Sequence, residues 1–189
     1  DLHKEYRRQR QMCIRDRRNA SLGIPADLKN PQNIYLYDFA RIGCRSTIMT
    51  MGNSKFIMKR GCLTAEGLVV VTSNHYQRIG EFLDGGNEDN LYRDIIVEED
   101  VWIGINVILL SGARIGRGAI IGAGAVVREF IPPYAVVIGN PAKVIKFKWE
   151  IAKIMEHERL LYPENKRFTK EQLEYYLSLI HISEPTRPY

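Results

Sequence analysis

The sequence predicts an all-β solenoid in which short strands wind into stacked triangular coils, with one loop insertion and short C-terminal α-helices. Three observations support this prediction: aliphatic residues recur every six positions, a small or β-branched residue stands four positions after each, and glycine directly follows several of them. Internal repeats of fixed period are typical of repeat architectures. The clearest stretch of the period contains Val97, Ile103, Leu109, Ile115, Ile121 and Val127.

Neither regular secondary structure explains a period of six, because a helix repeats every 3.6 residues and a strand every two. Three short strands per turn do explain it, since each hexad then forms one face of a triangular prism. The aliphatic side chain points inward, its small partner lets the chain turn, and glycine relieves the corner sterically. Such glycines are Gly43, Gly104, Gly116 and Gly122. A β-sandwich of short strands is the alternative, but it gives no reason for strict sixes.

Eighteen residues make one coil, so the sequence predicts four coils followed by a partial one. The four coils are residues 36–53, 57–74, 97–114 and 115–132. In the second of them, after a three-residue insertion, the inward positions are predicted to be Ile57, Leu63 and Val69. Residues 75–95 interrupt the period and are predicted to be a loop insertion.

The C-terminal part of the repeat region gives way to a helical pattern. Residues 147–162 have apolar side chains at helical spacing. Pro163 then separates this segment from a capping-box pattern at residues 169–172, which opens a second helix. We expect residues 147–176 to cover the open end of the solenoid, with His157 as a solvated helix residue.

Composition places the chain among ordinary globular proteins. Of 189 residues, 45% are hydrophobic and 26% are charged, with a formal net charge of +5. The three scattered cysteines make no disulfide framework or zinc knuckle, and the apolar runs are too short to span a bilayer. No secretory leader is evident. We therefore expect a cytoplasmic protein without a transmembrane segment.

Both ends of the chain read as non-native sequence. Residues 177–187 match a translation of a transposon-end adapter used in sequencing libraries, and residues 12–17 resemble the opposite adapter strand. We therefore assign residues 1–18 and 177–189 to adapter-derived tails, which leaves residues 19–146 as the β-helical domain. A basic N-terminal arm that binds phosphates is the alternative. Without residues 1–17 and 177–189, 20 Lys and Arg remain against 18 Asp and Glu, so we expect no nucleic-acid partner.

Several motifs in residues 34–146 resemble the hexapeptide-repeat acyltransferases. They are Ile103-Gly104, Ile115-Gly116, the run from Ile121 to Val127, Ile131-Pro132-Pro133 and Gly139-Asn140-Pro141-Ala142-Lys143. The resemblance implies a left-handed parallel β-helix, an acetyl-CoA co-substrate, and a homotrimer with active sites at the subunit interfaces. Val101-Trp102-Ile103-Gly104 and Ser73-Asn74-His75 are similar to the saccharide O-acetyltransferases of capsular polysaccharide and lipopolysaccharide biosynthesis.

His75 is the predicted catalytic residue. Acetyl transfer from a thioester to a hydroxyl needs a base, and a neutral imidazole suits this role near neutral pH. Between the two tails only His75 and His157 remain as candidates. The position alone is equally compatible with an exposed loop histidine, but the resemblance places the general base at this junction.

The resemblance also implies which residues bind the substrates. Those expected at coenzyme A are Trp102, Ile105, Ala123, Arg128, Lys143 and Lys146; those expected at the saccharide acceptor are Asn74, Tyr76 and Trp102. Ile105 offers only a backbone contact, and the two lysines could equally be solvated. The loop insertion is expected to cover the acceptor, with Tyr76, Phe82 and Tyr92 available to stack on a sugar.

Other functions use the same coils. An N-acetyltransferase of a nucleotide-linked amino sugar, a serine acetyltransferase-like enzyme and an antibiotic acetyltransferase are all compatible with the sequence. A zinc hydratase of this fold would need about three histidine ligands, so we expect no metal. A non-enzymatic solenoid would need neither His75 nor the loop insertion.

Overall fold

The computed structural model describes residues 15–16, 18–76, 79–80, 82 and 91–181. Short strands wind through about five coils, each of which contributes one strand to each of three sheets. The first coil contains β1 (Arg15–Asp16), β2 (Ser21–Leu22) and β3 (Ala26–Lys29). The second contains β4 (Ile34–Leu36), β5 (Arg41–Ile42) and β6 (Ser46–Met49). The third contains β7 (Phe56–Met58), β8 (Leu63–Thr64) and β9 (Val69–Val71).

A hairpin separates the third coil from the fourth. It consists of β10 (Ser73–Asn74) and β11 (Leu91–Tyr92), which pair antiparallel. The fourth coil contains β12 (Ile95–Val97), β13 (Trp102–Ile103) and β14 (Ile108–Leu110). The fifth contains β15 (Arg114–Ile115), β16 (Ile120–Ile121) and β17 (Val126–Val127). A partial coil adds β18 (Phe130–Ile131) and β19 (Ala135–Ile138), after which β20 (Lys143–Phe147) turns back antiparallel to β19.

The three sheets form the faces of a prism. Sheet A collects the first strand of each coil, sheet B the second together with β20, and sheet C the third. In the fourth coil, residues 98–101 form the A–B corner, residues 104–107 the B–C corner and residues 111–113 the C–A corner. Strands from successive coils pair in parallel. The predicted all-β solenoid is confirmed, and its architecture is consistent with a left-handed β-helix of hexapeptide repeats.

The six-residue period sets the interior as predicted. All six aliphatic residues of the clearest stretch are fully buried, as are four of the partners four positions later, Val107, Ala113, Ala119 and Ala125. Pairing is offset by eighteen residues, since Ile96 lies beside Arg114 and Ile108 beside Val126. Glycine relieves the corners sterically: a Cβ on Gly116 would lie 2.5 Å from the backbone nitrogen of Pro133 in the next coil.

Two details of the predicted repeat are wrong. The structure has a further coil before residue 34, in which Ala20 and Leu22 are buried. In the third coil, Ile57, Leu63 and Val69 face outward, whereas the inward residues are one position later in the sequence, at Met58, Thr64 and Val70. The insertion before this coil therefore has four residues, because Ile34 pairs with Phe56, twenty-two positions later. Aliphatic side chains on both faces of these strands made the phase ambiguous.

The C-terminal segment forms two helices, as predicted, and packs against the last coils. Helices α1 (Ile151–Leu161) and α2 (Lys170–His181) are joined through a 3-10 turn at Glu164–Lys166. Ile154 and Leu173 bury their side chains with Tyr134 from the partial coil. The expected capping box forms, because the Thr169 N–H donates to the Gln172 side chain at 2.9 Å and the Gln172 N–H to the Thr169 hydroxyl at 3.2 Å.

His157 is not a solvated residue. Its ring packs against Trp149 with centroids 4.9 Å apart, and only 24% of its side chain is exposed.

Helix α2 runs across residue 177, and β1 lies within residues 1–18, so neither tail boundary coincides with the end of an element. Within the described ranges, neither α-helix has the length and apolarity needed to cross a membrane.

A buried carboxylate fastens the helices to the coils. Glu158 in α1 is fully buried and accepts hydrogen bonds from Arg117 at 2.9 Å and from the Tyr134 hydroxyl at 2.5 Å. The Phe168 N–H also donates to this carboxylate, at 3.3 Å. Burial alone would lower the pKa of Arg117, but the adjacent Glu158 outweighs it and raises that pKa. The guanidinium stacks 3.8 Å from the ring centroid of Tyr162.

Removing this carboxylate is expected to destabilise the protein strongly. Glu158→Ala leaves Arg117 largely buried without its main counter-charge, and the loss of one partner of a buried pair costs about 3–5 kcal/mol. Urea unfolding at fixed protein concentration measures the effect. Arg45→Ala is the matched control, because it breaks the exposed ion pair with Glu66, where about 0–1 kcal/mol is expected. Equal losses in both variants would contradict a structural role for the buried pair.

Candidate active site

His75 lies at the C–A corner, directly after β10. The hairpin pairs Ser73 with Tyr92 and Asn74 with Leu91, so the chain leaves the prism after sheet C and rejoins it at sheet A within this corner. Asn74, His75 and Tyr76 are all exposed. The predicted catalytic residue and both of the predicted acceptor-binding residues that precede and follow it therefore lie together on one accessible edge of the prism.

Exposed aromatic side chains accompany His75. Tyr76 is 45% exposed, Tyr92 is 41% exposed and Phe82 is almost fully exposed. Exposed rings of this kind offer flat apolar faces with a polar tip in the tyrosines. The Tyr92 ring lies over Gly52, where a Cβ would approach the ring to 2.9 Å. The hairpin is thus seated against the coil below it.

The B–C corner contains two of the residues that are predicted to bind coenzyme A. Ile105 and Ala123 are both exposed and stand at equivalent places in the fourth and fifth coils. The corners stack closely, because the Gly124 N–H donates to the Ile105 carbonyl at 2.9 Å. A Cβ on Gly104 would lie 2.7 Å from the Ala123 nitrogen, so glycine is required here. Trp102 projects outward from sheet B and is 46% exposed.

Arg128 and Lys143 line a common groove at the C-terminal end of the coils. The groove has a volume of about 330 Å³ and is formed by residues 126–132 and 141–144 together with Leu179. Arg128 also lies 3.5 Å from the Glu129 carboxylate. Lys146 is exposed and pairs with Val136 in sheet B, and it does not line this groove.

The structure does not bring all the predicted residues together within one chain. His75 and Arg128 lie on the C–A corner, about two coils or 10 Å apart along the axis. Ile105 and Ala123 lie on the B–C corner, on the other side of sheet C. Equivalent points on the B–C and C–A corners are six residues apart along the chain, so they lie at most about 20 Å from each other.

Sequence reasoning missed a set of buried hydroxyls beneath the hairpin. Thr72 and Ser54 are buried and their hydroxyl oxygens are 2.6 Å apart, while the Ser111 hydroxyl donates to the Thr72 carbonyl at 2.9 Å. Thr72 lies two residues after Val70, which faces inward. The predicted phase placed Val69 inward instead, so the burial of Thr72 was not predicted. Asp94 was also missed: its carboxylate accepts from the Lys55 N–H at 2.8 Å, where the hairpin rejoins the coil.

In the described ranges, no three His, Cys, Asp or Glu side chains group together as metal ligands would. Cys62 is buried and burial raises its pKa to about 12, so the thiol stays protonated at neutral pH.

The fold and its repeat define a hexapeptide-repeat β-helix. Residues 94–129 match the family model described as "Bacterial transferase hexapeptide (six repeats)". This match confirms the predicted resemblance to the hexapeptide-repeat acyltransferases at the level of the repeat.

Particular proteins resemble the chain over different lengths. A 2,3,4,5-tetrahydropyridine-2,6-dicarboxylate N-acetyltransferase of Staphylococcus aureus is 47% identical over 72 residues, which are 38% of this chain and 30% of the relative. A hexapeptide-repeat acetyltransferase of Vibrio cholerae, solved with acetyl coenzyme A, superposes with a TM-score of 0.67 and 21% identity over 79% of each chain. A maltose O-acetyltransferase of Clostridium difficile superposes with a TM-score of 0.59 and 23% identity, over 79% of this chain and 78% of that one. The chain thus spans less than a third of the matched S. aureus relative, and the two structures establish the fold.

Proposed function

We propose that the protein is an acetyl-CoA-dependent O-acetyltransferase that acetylates a saccharide hydroxyl, with His75 as general base. The observation that carries the proposal is the hairpin at the C–A corner, which presents His75 with exposed Asn74 and Tyr76 on a rigid solenoid. The similarity to acetyltransferases, one of them solved with acetyl coenzyme A, supports the choice of co-substrate. The proposal places the reaction in the cytoplasm.

One base is sufficient for the proposed acetyl transfer, because the proton that it accepts is later returned to the leaving group. The His75 imidazole accepts the proton of the acceptor hydroxyl as its oxygen attacks the thioester carbonyl. The tetrahedral intermediate then collapses, the carbon–sulfur bond breaks, and the imidazolium returns the proton to the departing thiolate. Tyr76 and Tyr92 provide exposed rings beside this point, on which the apolar face of a sugar would stack.

Coenzyme A is proposed to extend from His75 along the coils. The stacked backbone at Ile105 and Ala123 would contact the pantetheine arm, and Trp102 would form a wall between the arm and the acceptor. Arg128 and Lys143 share a groove, which supports a common role at phosphate oxygens. Lys146 lies further along β20 and would act at the groove's edge.

The separation of the two corners supports a homotrimer. Because His75 and the pair Ile105 and Ala123 lie on different corners, a neighbouring copy would complete each site. Outward aliphatic side chains on sheets B and C support such packing. They include Leu63, Val69, Val71, Ile108 and Leu110, which are exposed or half-buried in the single chain, and the aromatic Trp102 is exposed beside Leu63.

N-acetylation is the second candidate function. The observation that favours it is the S. aureus relative, an N-acetyltransferase with 47% identity over 72 residues. Thiol release from acetyl-CoA, measured with maltose, a methyl galactoside, glucosamine, a nucleotide-linked amino sugar and serine, separates the two. Turnover with hydroxyl acceptors supports the O-acetyltransferase, and turnover confined to amines replaces it with the alternative.

His75→Ala is expected to abolish most of the activity without loss of the fold. Removing a general base typically lowers the rate by about 10²–10⁴-fold. We expect kcat to fall in this range, while circular dichroism and the oligomeric state match the wild type. His157→Gln is the control, because this second histidine packs in the C-terminal cap and should retain kcat. A fully active His75→Ala variant would show that another group takes the proton.

Lys143→Ala is expected to weaken binding of the coenzyme A phosphates. Loss of a cation beside a phosphate raises KM for acetyl-CoA, and less so for a dephospho-acetyl-CoA that lacks the 3′-phosphate. Steady-state kinetics with both thioesters measure the difference. Lys153→Ala removes an equally exposed charge from α1 and should change neither KM. Unchanged discrimination between the two thioesters in Lys143→Ala would rule out this phosphate contact.

A further inference from the structure

Thr72 lies where sheet C ends and the hairpin begins, and its polar atoms join three coils. Its N–H donates to the Met49 carbonyl in the coil below at 3.1 Å. Its carbonyl accepts from the Arg93 N–H on the returning side of the hairpin at 3.0 Å, and from the Ser111 hydroxyl in the coil above at 2.9 Å. Thr72 is fully buried, so these bonds are not exchanged with solvent.

The Thr72 hydroxyl closes a ring of hydrogen bonds with the insertion in the coil below. The Met51 N–H donates to the Thr72 hydroxyl oxygen at 3.0 Å. The Ser54 hydroxyl lies 2.5 Å from the Met51 carbonyl, to which it can donate, and its oxygen lies 2.6 Å from that of Thr72. The Thr72 hydroxyl also lies 3.5 Å from the Met49 carbonyl, so each buried hydroxyl has more than one hydrogen-bond partner within the protein.

The four-residue insertion in the second coil also touches the hairpin directly. Gly52 has a φ of +55° and lies beneath the Tyr92 ring, where a Cβ would come within 2.9 Å of Cδ2. Tyr92 pairs with Ser73, two residues before His75. The irregularity of one coil therefore forms the support for the hairpin that leaves the next coil.

We propose that this hydroxyl seat, formed by residues 51–54 together with Thr72, positions His75 for catalysis. The inference rests on the proposed function of His75. His75 lies three residues from Thr72, so any change in the direction in which the chain leaves sheet C carries the imidazole with it. Misplacement of a reacting group by 1 Å can cost about 10²-fold in rate. The residues of the seat are positioning residues, because they act through His75.

The chain supplies matched controls for both parts of the seat. Gly61 has a φ of +73°, but a Cβ there meets no atom within 4 Å, so Gly61→Ala carries the backbone strain of Gly52→Ala without the clash. Thr64 is a buried threonine of the same coil whose hydroxyl bonds to the Gly43 N–H and the Ala65 carbonyl at the B–C corner. Thr64→Val therefore removes a comparable hydroxyl far from the hairpin.

The test measures position and rate separately. Position is read from the imidazole resonance of His75 in histidine-labelled protein, assigned with His75→Ala. Rate is read as kcat and KM for acetyl-CoA with the fastest acceptor of the panel above. Gly52→Ala and Thr72→Val are expected to shift the resonance and lower kcat about 10-fold or more, with KM for acetyl-CoA unchanged. Thr72→Ser keeps the hydroxyl and is therefore expected to keep the kcat of the wild type.

The outcomes distinguish this inference from the proposed function. If Gly52→Ala and Thr72→Val match Gly61→Ala and Thr64→Val in both resonance and kcat, the seat has only a structural role and the inference is overturned. A shifted resonance with the kcat of the controls overturns it as well, provided that His75→Ala is inactive. If His75→Ala remains active, the proposed base is wrong, and the resonance shift alone shows whether the seat holds the hairpin.

Discussion

Parallel hydrogen bonding between successive coils is the constraint on which the rest of the structure depends. Backbone donors of one coil meet carbonyls of a neighbouring coil at 2.6–3.4 Å on the faces and corners alike, for example from Trp102 to Ala119 and from Gly104 to Ile121. Each paired residue therefore lies beside the equivalent residue of the neighbouring coil, so its side chain must pack against the side chain at that equivalent position. Departures from the period are accommodated only where strands end. Both the four-residue insertion and the hairpin occur at the C–A corner for this reason.

The same constraint distributes the candidate site. A straight stack of coils cannot fold its own corners onto each other, so the hairpin with His75 and the stacked backbone at Ile105 and Ala123 stay on opposite edges of sheet C. Apolar outward faces on sheets B and C give neighbouring copies a surface on which to pack. Association would bring the hairpin of one copy to the B–C corner of the next. In the proposed homotrimer, the interface between copies would then be part of the active site.

The period of six was sufficient to predict the solenoid, its interior from Val97 to Val127 and the place of the loop insertion, and the helical spacing of apolar residues predicted the C-terminal helices. It was insufficient where apolar side chains occupy both faces, as at Ile57 and Met58, because periodicity then allows two phases. The first coil was not predicted, because it buries few apolar side chains and some of these are small. The Glu158 and Arg117 pair and the ring at Thr72 depend on contacts between distant segments, which no local pattern contains. Roles at His75, Arg128 and Lys143 came from the resemblance, and they stay predictions.

Subunit complementation tests the shared site most directly. His75→Ala removes the base, and Ala123→Trp blocks the exposed B–C corner of a chain whose His75 is intact. Equal amounts of the two inactive variants, unfolded together and refolded, would form mixed trimers if the proposed trimer is correct. A site completed by a neighbouring copy would be restored once in each mixed trimer, which predicts recovery of about a quarter of the wild-type activity. Activity no greater than that of the separate variants would contradict a site shared between copies.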